Sequence, residues 1–213
     1  MGIFRYNMLM AIYEVLSPDL LLSAYCQGIF PMAHQNGDIY WYDPDPRAIM
    51  PLDDGFHVSR SLARTLRQNR FEVRIDHDFT AVMRACAELK PEREETWINE
   101  ELIAAYTRLH KLGYAHSVEV WQNGRLTGGL YGVAIRGFFA GESMFSRERD
   151  SSKIALVYLV ERLRQRRYQL LDIQFMTGHL RKFGAVEVPA DNYKIRLAYA
   201  LTIETTFGEE GGE

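Results

Sequence analysis

The chain has almost no cysteine: Cys26 and Cys86 are the only two in 213 residues. That excludes a disulfide framework and fits a reducing compartment. Both fall in apolar helical patterns, where core packing rather than nucleophilic chemistry is expected. Long hydrophobic runs are missing too. The N-terminal stretch MGIFRYNMLMAIYEVLSP interrupts its apolar residues with Arg5, Asn7 and Glu14, and no small-residue cleavage pattern follows. Neither a signal peptide nor a membrane span is expected, and the cytoplasm is the default. Net charge is small, formally -3, which argues against indiscriminate nucleic-acid binding.

Several chemical signatures are absent as well. There is no G-x-G-x-x-G and no Walker sequence, so phosphate cradling by a glycine-rich loop is not indicated. The six histidines, His34, His57, His77, His110, His116 and His179, show neither H-E-x-x-H nor a compact His/Cys spacing, so no metal site is expected. GESMF is not a G-x-S-x-G elbow, and nothing identifies a base that would activate Ser143.

What is present is an ordinary globular composition, 47% hydrophobic and 25% charged, in a chain long enough to bury a full core. Ser17 ahead of Pro18 opens a short helix that Gly28 and Pro31 end. Asn36-Gly37 marks a tight turn, and the prolines of DPDP stiffen the approach to Arg47. We expect residues 1–50 to form a small, aromatic and irregular N-terminal domain.

SRSLARTLRQNR then reads as a helix, FEVRID as a strand and DFTAVMRACAELK as a helix. A polar, mobile connection is expected at Pro91 and the EREE that follows it. NEELIAAYTRLHKLG should be helical, capped by Asn99 and stopped by Gly113. From Ala115 the period becomes two. SVEVW, RLTGGLYGVAI and GFFAGESMF are three antiparallel strands joined at Asn123-Gly124 and Arg136-Gly137. A helix over SSKIALVYLVERLRQRR, a strand over QLLDIQF, a short helix around GHLRKFG and strands near AVEVP and YALTIE complete a mixed α/β domain with one main sheet. The last six residues, GEEGGE, read as a disordered acidic tail over 208–213.

Polar residues where burial is expected single out the candidate site. Glu142 ends an apolar strand, placed either to hold a ligand amine or to pair with Arg147 or Arg149. Asp172 and Gln174, two apart on one strand, share a face among Leu170, Leu171, Ile173 and Phe175, as an amine site or as a structural polar network. Ser151 and Ser152 sit at a helix start suited either to capping or to an anion. The glycines of GGLYG fit close packing or ligand clearance. Arg60, Arg64, Arg67, Arg70 and Arg74 recur every three or four residues, and Arg162, Arg164, Arg166 and Arg167 crowd another helix end. They suit a phosphate backbone or a solvated helix face.

In combination, WYDPDPR, TWI, LHKLGYAHSVEVW, GGLYGVAIRGFFAGESMFSRERDSSKIAL and LLDIQFMTGHLRKFGA resemble the leucyl/phenylalanyl-tRNA–protein transferase family over about residues 17–195. The resemblance implies a small N-terminal α+β domain followed by an acetyltransferase-like (GNAT-like) mixed-sheet domain over 51–207. It implies transfer of leucine or phenylalanine, less readily methionine, from leucyl-tRNA or phenylalanyl-tRNA to proteins that begin with arginine or lysine. The product enters regulated proteolysis, and no metal or other cofactor is implied. By motif match it places Asp172 and Gln174 in catalysis, and Glu142, Ser143, Trp97 and Trp41 around the aminoacyl-adenosine pocket. Arg60, Arg64, Arg67, Arg70, Arg162, Arg166 and Arg167 are the expected tRNA contacts, and a monomer is expected. Asp172 would favour loss of the acceptor amine's proton. Ile173 stands where family members commonly carry cysteine, which leaves direct attack without a covalent enzyme intermediate. A transferase using another acyl donor on the same scaffold, and a non-enzymatic RNA-binding module, are the competing readings.

Overall fold

The computed structural model describes residues 2–5, 16–89 and 95–208. The polar connection expected at Pro91 and the tail beyond residue 208 fall outside, except that Glu95 is described. The described residues among the first fifty are more regular than their sequence suggests. Strands β1 (Gly2–Arg5), β2 (Phe30–Ala33) and β3 (Ile39–Asp43) form an antiparallel sheet in the order β1-β3-β2. Helix α1 (Pro18–Cys26) precedes β2, and the Ser17 hydroxyl caps it by accepting the Leu20 N–H at 3.3 Å. The next strand, β4 (Arg47–Met50), leaves this sheet and enters a second one, so the chain joins the larger sheet already at Arg47.

The remaining elements are α2 (Arg60–Arg67), β5 (Glu72–Ile75), α3 (Phe79–Ala87), α4 (Glu100–Lys111), β6 (Ala115–Gln122), β7 (Arg125–Ile135) and β8 (Phe138–Ser146). They continue with α5 (Ser151–Gln165), β9 (Leu170–Gln174), α6 (Gly178–Arg181), β10 (Val186–Val188) and α7 (Ala190–Ala200). Seven strands pair in the order β10-β4-β9-β8-β7-β6-β5, and every pair is antiparallel except β8 with β9. The fold is therefore mixed α/β, as the alternating periods indicate. One expectation fails: YALTIE is not a strand, because α7 runs through Ala200 and the chain then turns. Tyr193, Leu197 and Ala200, spaced by four and three, form its buried side.

Two cores flank the sheet. On one side Leu21, Met83, Leu102, Tyr106, Leu109 and Leu197 pack with β9's Leu170 and with Phe138 and Ala140 of β8. On the other, Ile154, Leu159 and Leu163 of α5 and Leu62 of α2 cover Val118, Phe139, Leu171 and Phe207. Phe139 is wholly buried, and truncating such a side chain to alanine costs about 3–5 kcal/mol. The turns are those the sequence specifies, with Asn123 and Gly124 at φ 51° and 71° between β6 and β7.

The glycines of GGLYG serve packing. A Cβ at Gly128 would collide with Ser151 at the start of α5, and one at Gly132 with the Ala140 carbonyl oxygen and the Phe139 ring. Ser151 is itself structural, its hydroxyl donating to the Thr127 carbonyl at 2.8 Å.

Candidate active site

Two local irregularities open the sheet at its centre. The parallel ladder between β8 and β9 stops at Ala140 opposite Asp172, whereas β9 continues beside β4 and β8 beside β7, so the two strands separate beyond that point. On β8, Gly141 pairs with Gly132 and Ser143 with Tyr131, which leaves Glu142 as the extra residue of a bulge. The bulge resets the strand's alternation: Phe138, Ala140 and Phe145 all join the core beneath α3 and α4, while Phe139 and Met144 join the core beneath α5. Its effect is to aim one carboxyl into the gap.

Glu142 is met there by hydroxyls and an amide rather than by an arginine. Tyr25 of α1 donates to its Oε1 at 2.8 Å, Tyr106 of α4 to its Oε2 at 3.4 Å, and the Gln174 amide to Oε1 at 3.2 Å. The two tyrosine hydroxyls also bond each other. Burial outweighs these donors and pushes the Glu142 carboxyl up to about 8, with the charge of Asp172 adding to the effect and the tyrosine bonds and Arg47 opposing it. The neutral acid is thus favoured here, and a cation placed beside it would favour the carboxylate. The same burial, with Glu142 next in importance, keeps Tyr25 and Tyr106 well above the usual phenol range.

Asp172 is not on the wall of the gap but enclosed behind it. Its carboxylate is inaccessible and accepts four hydrogen bonds. Arg47 grips it through Nε at 2.9 Å and Nη2 at 2.6 Å, the Tyr193 hydroxyl donates at 2.9 Å, and the backbone N–H of Gln174 donates at 2.9 Å. Arg47 is equally enclosed. It donates its remaining Nη1 to the Gly28 carbonyl at 2.8 Å and stacks between Phe30 and Tyr193, and the carboxylate raises its already high pKa against the opposing effect of burial. With every lone pair engaged, Asp172 has no free site for an amine's proton. What it holds instead is Gln174, which sits at φ 53° in a three-residue turn closed by Phe175 N–H to the Ile173 carbonyl at 2.6 Å. That turn swings the Gln174 amide across the gap to Glu142.

Below these groups lies a cavity of about 330 Å³. Its walls are apolar, chiefly Leu130, Met144, Leu156, Leu159, Leu171 and Ile173, and Glu142, Ser143, Gln174, Thr177 and His179 supply its polar points. An apolar slot with a carboxyl and an amide at its rim can take a small molecule's hydrocarbon side chain while bonding its amine.

Glu142, Ser143 and Gln174 thus meet at one place, with Asp172 one layer behind. The tryptophans do not line this cavity. Trp41 is buried in the core beside β2, and Trp97 lines a separate surface groove with Met32, His34, Tyr42 and Thr96. A run of rings, Phe175 to Phe30 to Tyr42 to His34, connects the two places, with centroids 5.8, 5.9 and 6.1 Å apart.

The arginines divide. Arg60, Arg64, Arg67 and Arg70 are exposed and, among the described residues, have no ion pair. Arg167 is exposed and Arg166 half-buried. Arg162 is committed to the fold: two of its nitrogens donate to the Phe207 carbonyl at 2.9 and 2.7 Å while it lies over that ring. Neither Arg147 nor Arg149 pairs with Glu142; they turn to Glu88 and Asp150. Sequence reasoning missed Arg47, Tyr25 and Tyr106. Only the DPDPR stiffening pointed toward Arg47, and the tyrosines look like ordinary core residues of amphipathic helices. Among the described residues there is no group of three His, Cys, Asp or Glu side chains that could hold a metal, and no helix is long and apolar enough to cross a membrane.

This geometry agrees with what comparison of the sequence reveals. Residues 49–198 match the family model described as leucyl/phenylalanyl-tRNA protein transferase, and residues 14–45 match its N-terminal domain. A leucyl/phenylalanyl-tRNA–protein transferase of Herpetosiphon aurantiacus is 58% identical over 192 residues, covering 90% of this chain and 98% of that one. Proteins of the same description from Paramagnetospirillum magneticum and Rubrobacter xylanophilus are each 55% identical, covering 87% and 90% of this chain and 90% and 98% of theirs. The chain therefore belongs to the leucyl/phenylalanyl-tRNA–protein transferase family of aminoacyltransferases.

Proposed function

We propose that this enzyme transfers leucine or phenylalanine, and less readily methionine, from aminoacyl-tRNA to the N-terminal amine of cytoplasmic proteins that begin with arginine or lysine, marking them for degradation. The observation that carries this reading is the cavity between β8 and β9, apolar within and closed at its rim by Glu142 and Gln174. A leucine or phenylalanine side chain is favoured there by burial, and a charged side chain is rejected by the cost of its desolvation. The donor's own α-amine, ordinarily near ~8 as an α-amino group, is close to Glu142 in proton affinity, so the pair can share one proton as carboxylate and ammonium. Glu142 would thereby fix the donor's amine and leave its ester carbonyl facing the mouth.

From there the tRNA's terminal adenosine would lie along the aromatic run toward the His34 and Trp97 groove, where a base can stack. Trp41 then acts from behind, as support for Tyr42 on the same strand. Peptide-bond formation needs only alignment, because the ester already carries an activated carbonyl. Holding amine and ester in contact is the chief task of Gln174, and Asp172 and Arg47 keep Gln174 in place. Arg60, Arg64, Arg67, Arg70, Arg166 and Arg167 would hold tRNA phosphates, with the enzyme acting as a monomer.

The test is a mass-resolved transfer assay pairing leucyl-, phenylalanyl- and methionyl-tRNA with peptides that start with Arg, Lys or Ala. Products one leucine or phenylalanine heavier on the Arg and Lys peptides are expected. No product from intact leucyl- or phenylalanyl-tRNA would reject the reading.

A further inference from the structure

The proposed reaction needs a group to take the acceptor amine's proton, and the residues at the gap do not offer one. Asp172 is saturated by Arg47, Tyr193 and the Gln174 N–H. Burial favours Glu142 as the neutral acid, and in the proposed function its carboxyl is engaged by the donor's amine. Gln174 has no basic atom.

Tyr131 and His179 are the titratable side chains on the cavity wall that this account does not use, and burial holds the Tyr131 phenol well above its ordinary range. His179 lines the cavity together with Thr177 and Leu180, five residues beyond Gln174. The Thr177 hydroxyl caps the short helix that carries it, accepting the Leu180 N–H at 3.2 Å, and the ring is braced edge-on against Phe183 at 5.4 Å. Its Nε2 is sealed from solvent without a hydrogen-bond partner. With Nε2 enclosed and unpartnered, Nδ1 is the ring nitrogen left to meet a group in the cavity, and in the tautomer that carries its hydrogen on Nε2 it holds the lone pair that accepts a proton. Burial first, then Lys153 of α5 and Lys182 just beyond α6, hold its pKa below the ordinary histidine value. Lys153 is itself paired with Asp150 at 2.5 Å, and Glu142 is the acid across the cavity. These surroundings favour the neutral imidazole, the form that can accept a proton through Nδ1.

We infer that His179 is a further catalytic residue, accepting through Nδ1 the proton that the acceptor amine releases as it attacks the aminoacyl ester. The new bond joins the amine nitrogen to the ester carbonyl carbon, and the bond that breaks joins that carbon to the ribose oxygen. The proton passes from nitrogen to imidazole and then to the departing ribose oxygen, so amine and ester become amide and alcohol with no other reactant. The inference rests on the function proposed above and concerns only how its proton moves.

It is tested with the whole protein by single-turnover transfer from leucyl-tRNA to an Arg-starting peptide between pH 5 and 9, comparing wild type with His179→Gln and His179→Ala. The wild-type rate should show an acid limb below the ordinary histidine range, and both variants should lose that limb. Their rates at pH 7.5 should fall on the order of 10²-fold or more, with leucyl-tRNA affinity and thermal midpoint unchanged. Added imidazole should partly restore the alanine variant. A glutamine variant with the wild-type rate and pH profile would overturn the assignment, as would an equal loss in tRNA affinity that imidazole does not relieve. Absence of product from the wild type would instead strike at the proposed function itself.

Discussion

Replacing Asp172 with asparagine leaves Arg47 a buried cation without its counter-charge, in a place where both side chains are at most 1% exposed. Breaking such a pair costs about 3–5 kcal/mol, so Asp172→Asn should lower the unfolding midpoint in denaturant markedly. Gln174→Ala should cut the transfer rate with little change in that midpoint, and a D172N protein as stable as the wild type would contradict the account of the pair. Glu142 makes an opposite kind of prediction. Its carboxyl is harder to ionise in the folded chain, so between pH 4.5 and about 8 the native state keeps a proton that the unfolded state has released. Stability from this residue is full below that window and declines as pH rises through it, by up to about 1.4 kcal/mol per pH unit. Glu142→Gln should flatten that part of the stability profile, which urea titrations across the window would reveal. At this scale the sequence was informative where a polar residue interrupts an apolar strand, as at Glu142, Asp172 and Gln174. Arg47, Tyr25 and Tyr106 reach the site over 125, 117 and 36 residues of chain, and no local pattern encodes such meetings.

At the scale of elements, the bulge and the turn at Gln174 matter more than the strands' propensities. Gly132 has no room for a methyl group beside the Ala140 carbonyl, so Gly132→Ala should shift β8 and re-aim Glu142. Loss of transfer in a variant that still folds, checked by circular dichroism, is the expected result. On α2 and just beyond it, converting Arg60, Arg64, Arg67 and Arg70 to glutamine should weaken tRNA binding and flatten its dependence on salt, by about 0.9 in the log–log slope for each duplex phosphate released. An unchanged slope would place the tRNA elsewhere. Most elements were legible because their periods are clean: β6, β7 and β8 alternate between marked turns, and α4 carries both the Asn99 cap and Gly113 at φ 80°. The misreading at YALTIE came from reading a β-like composition in isolation. The four-and-three spacing of α7 begins further back, at Tyr193.

Across the whole molecule, the site is a meeting of segments distant in sequence. The N-terminal region contributes Tyr25 and Arg47, the helical layer Tyr106, the central strands Glu142 and Gln174, and the last helix Tyr193. Lys194 adds a second tie between α7 and the N-terminal region, donating to both oxygens of Asp43 at 2.9 Å. Anything that loosens the N-terminal region should therefore unsettle Glu142 and Gln174 together. Sheet order and the parallel step between β8 and β9 lay beyond local sequence patterns, because which strands become neighbours is decided by packing of the whole chain. The most direct measurement is a structure of the protein with phenylalanine joined by an amide to the 3′ position of adenosine, an analogue that cannot be transferred. The account predicts the phenyl ring between Leu159 and Leu171 with the amine on Glu142; a phenyl ring in the His34 and Trp97 groove, with the amine away from Glu142, would contradict it.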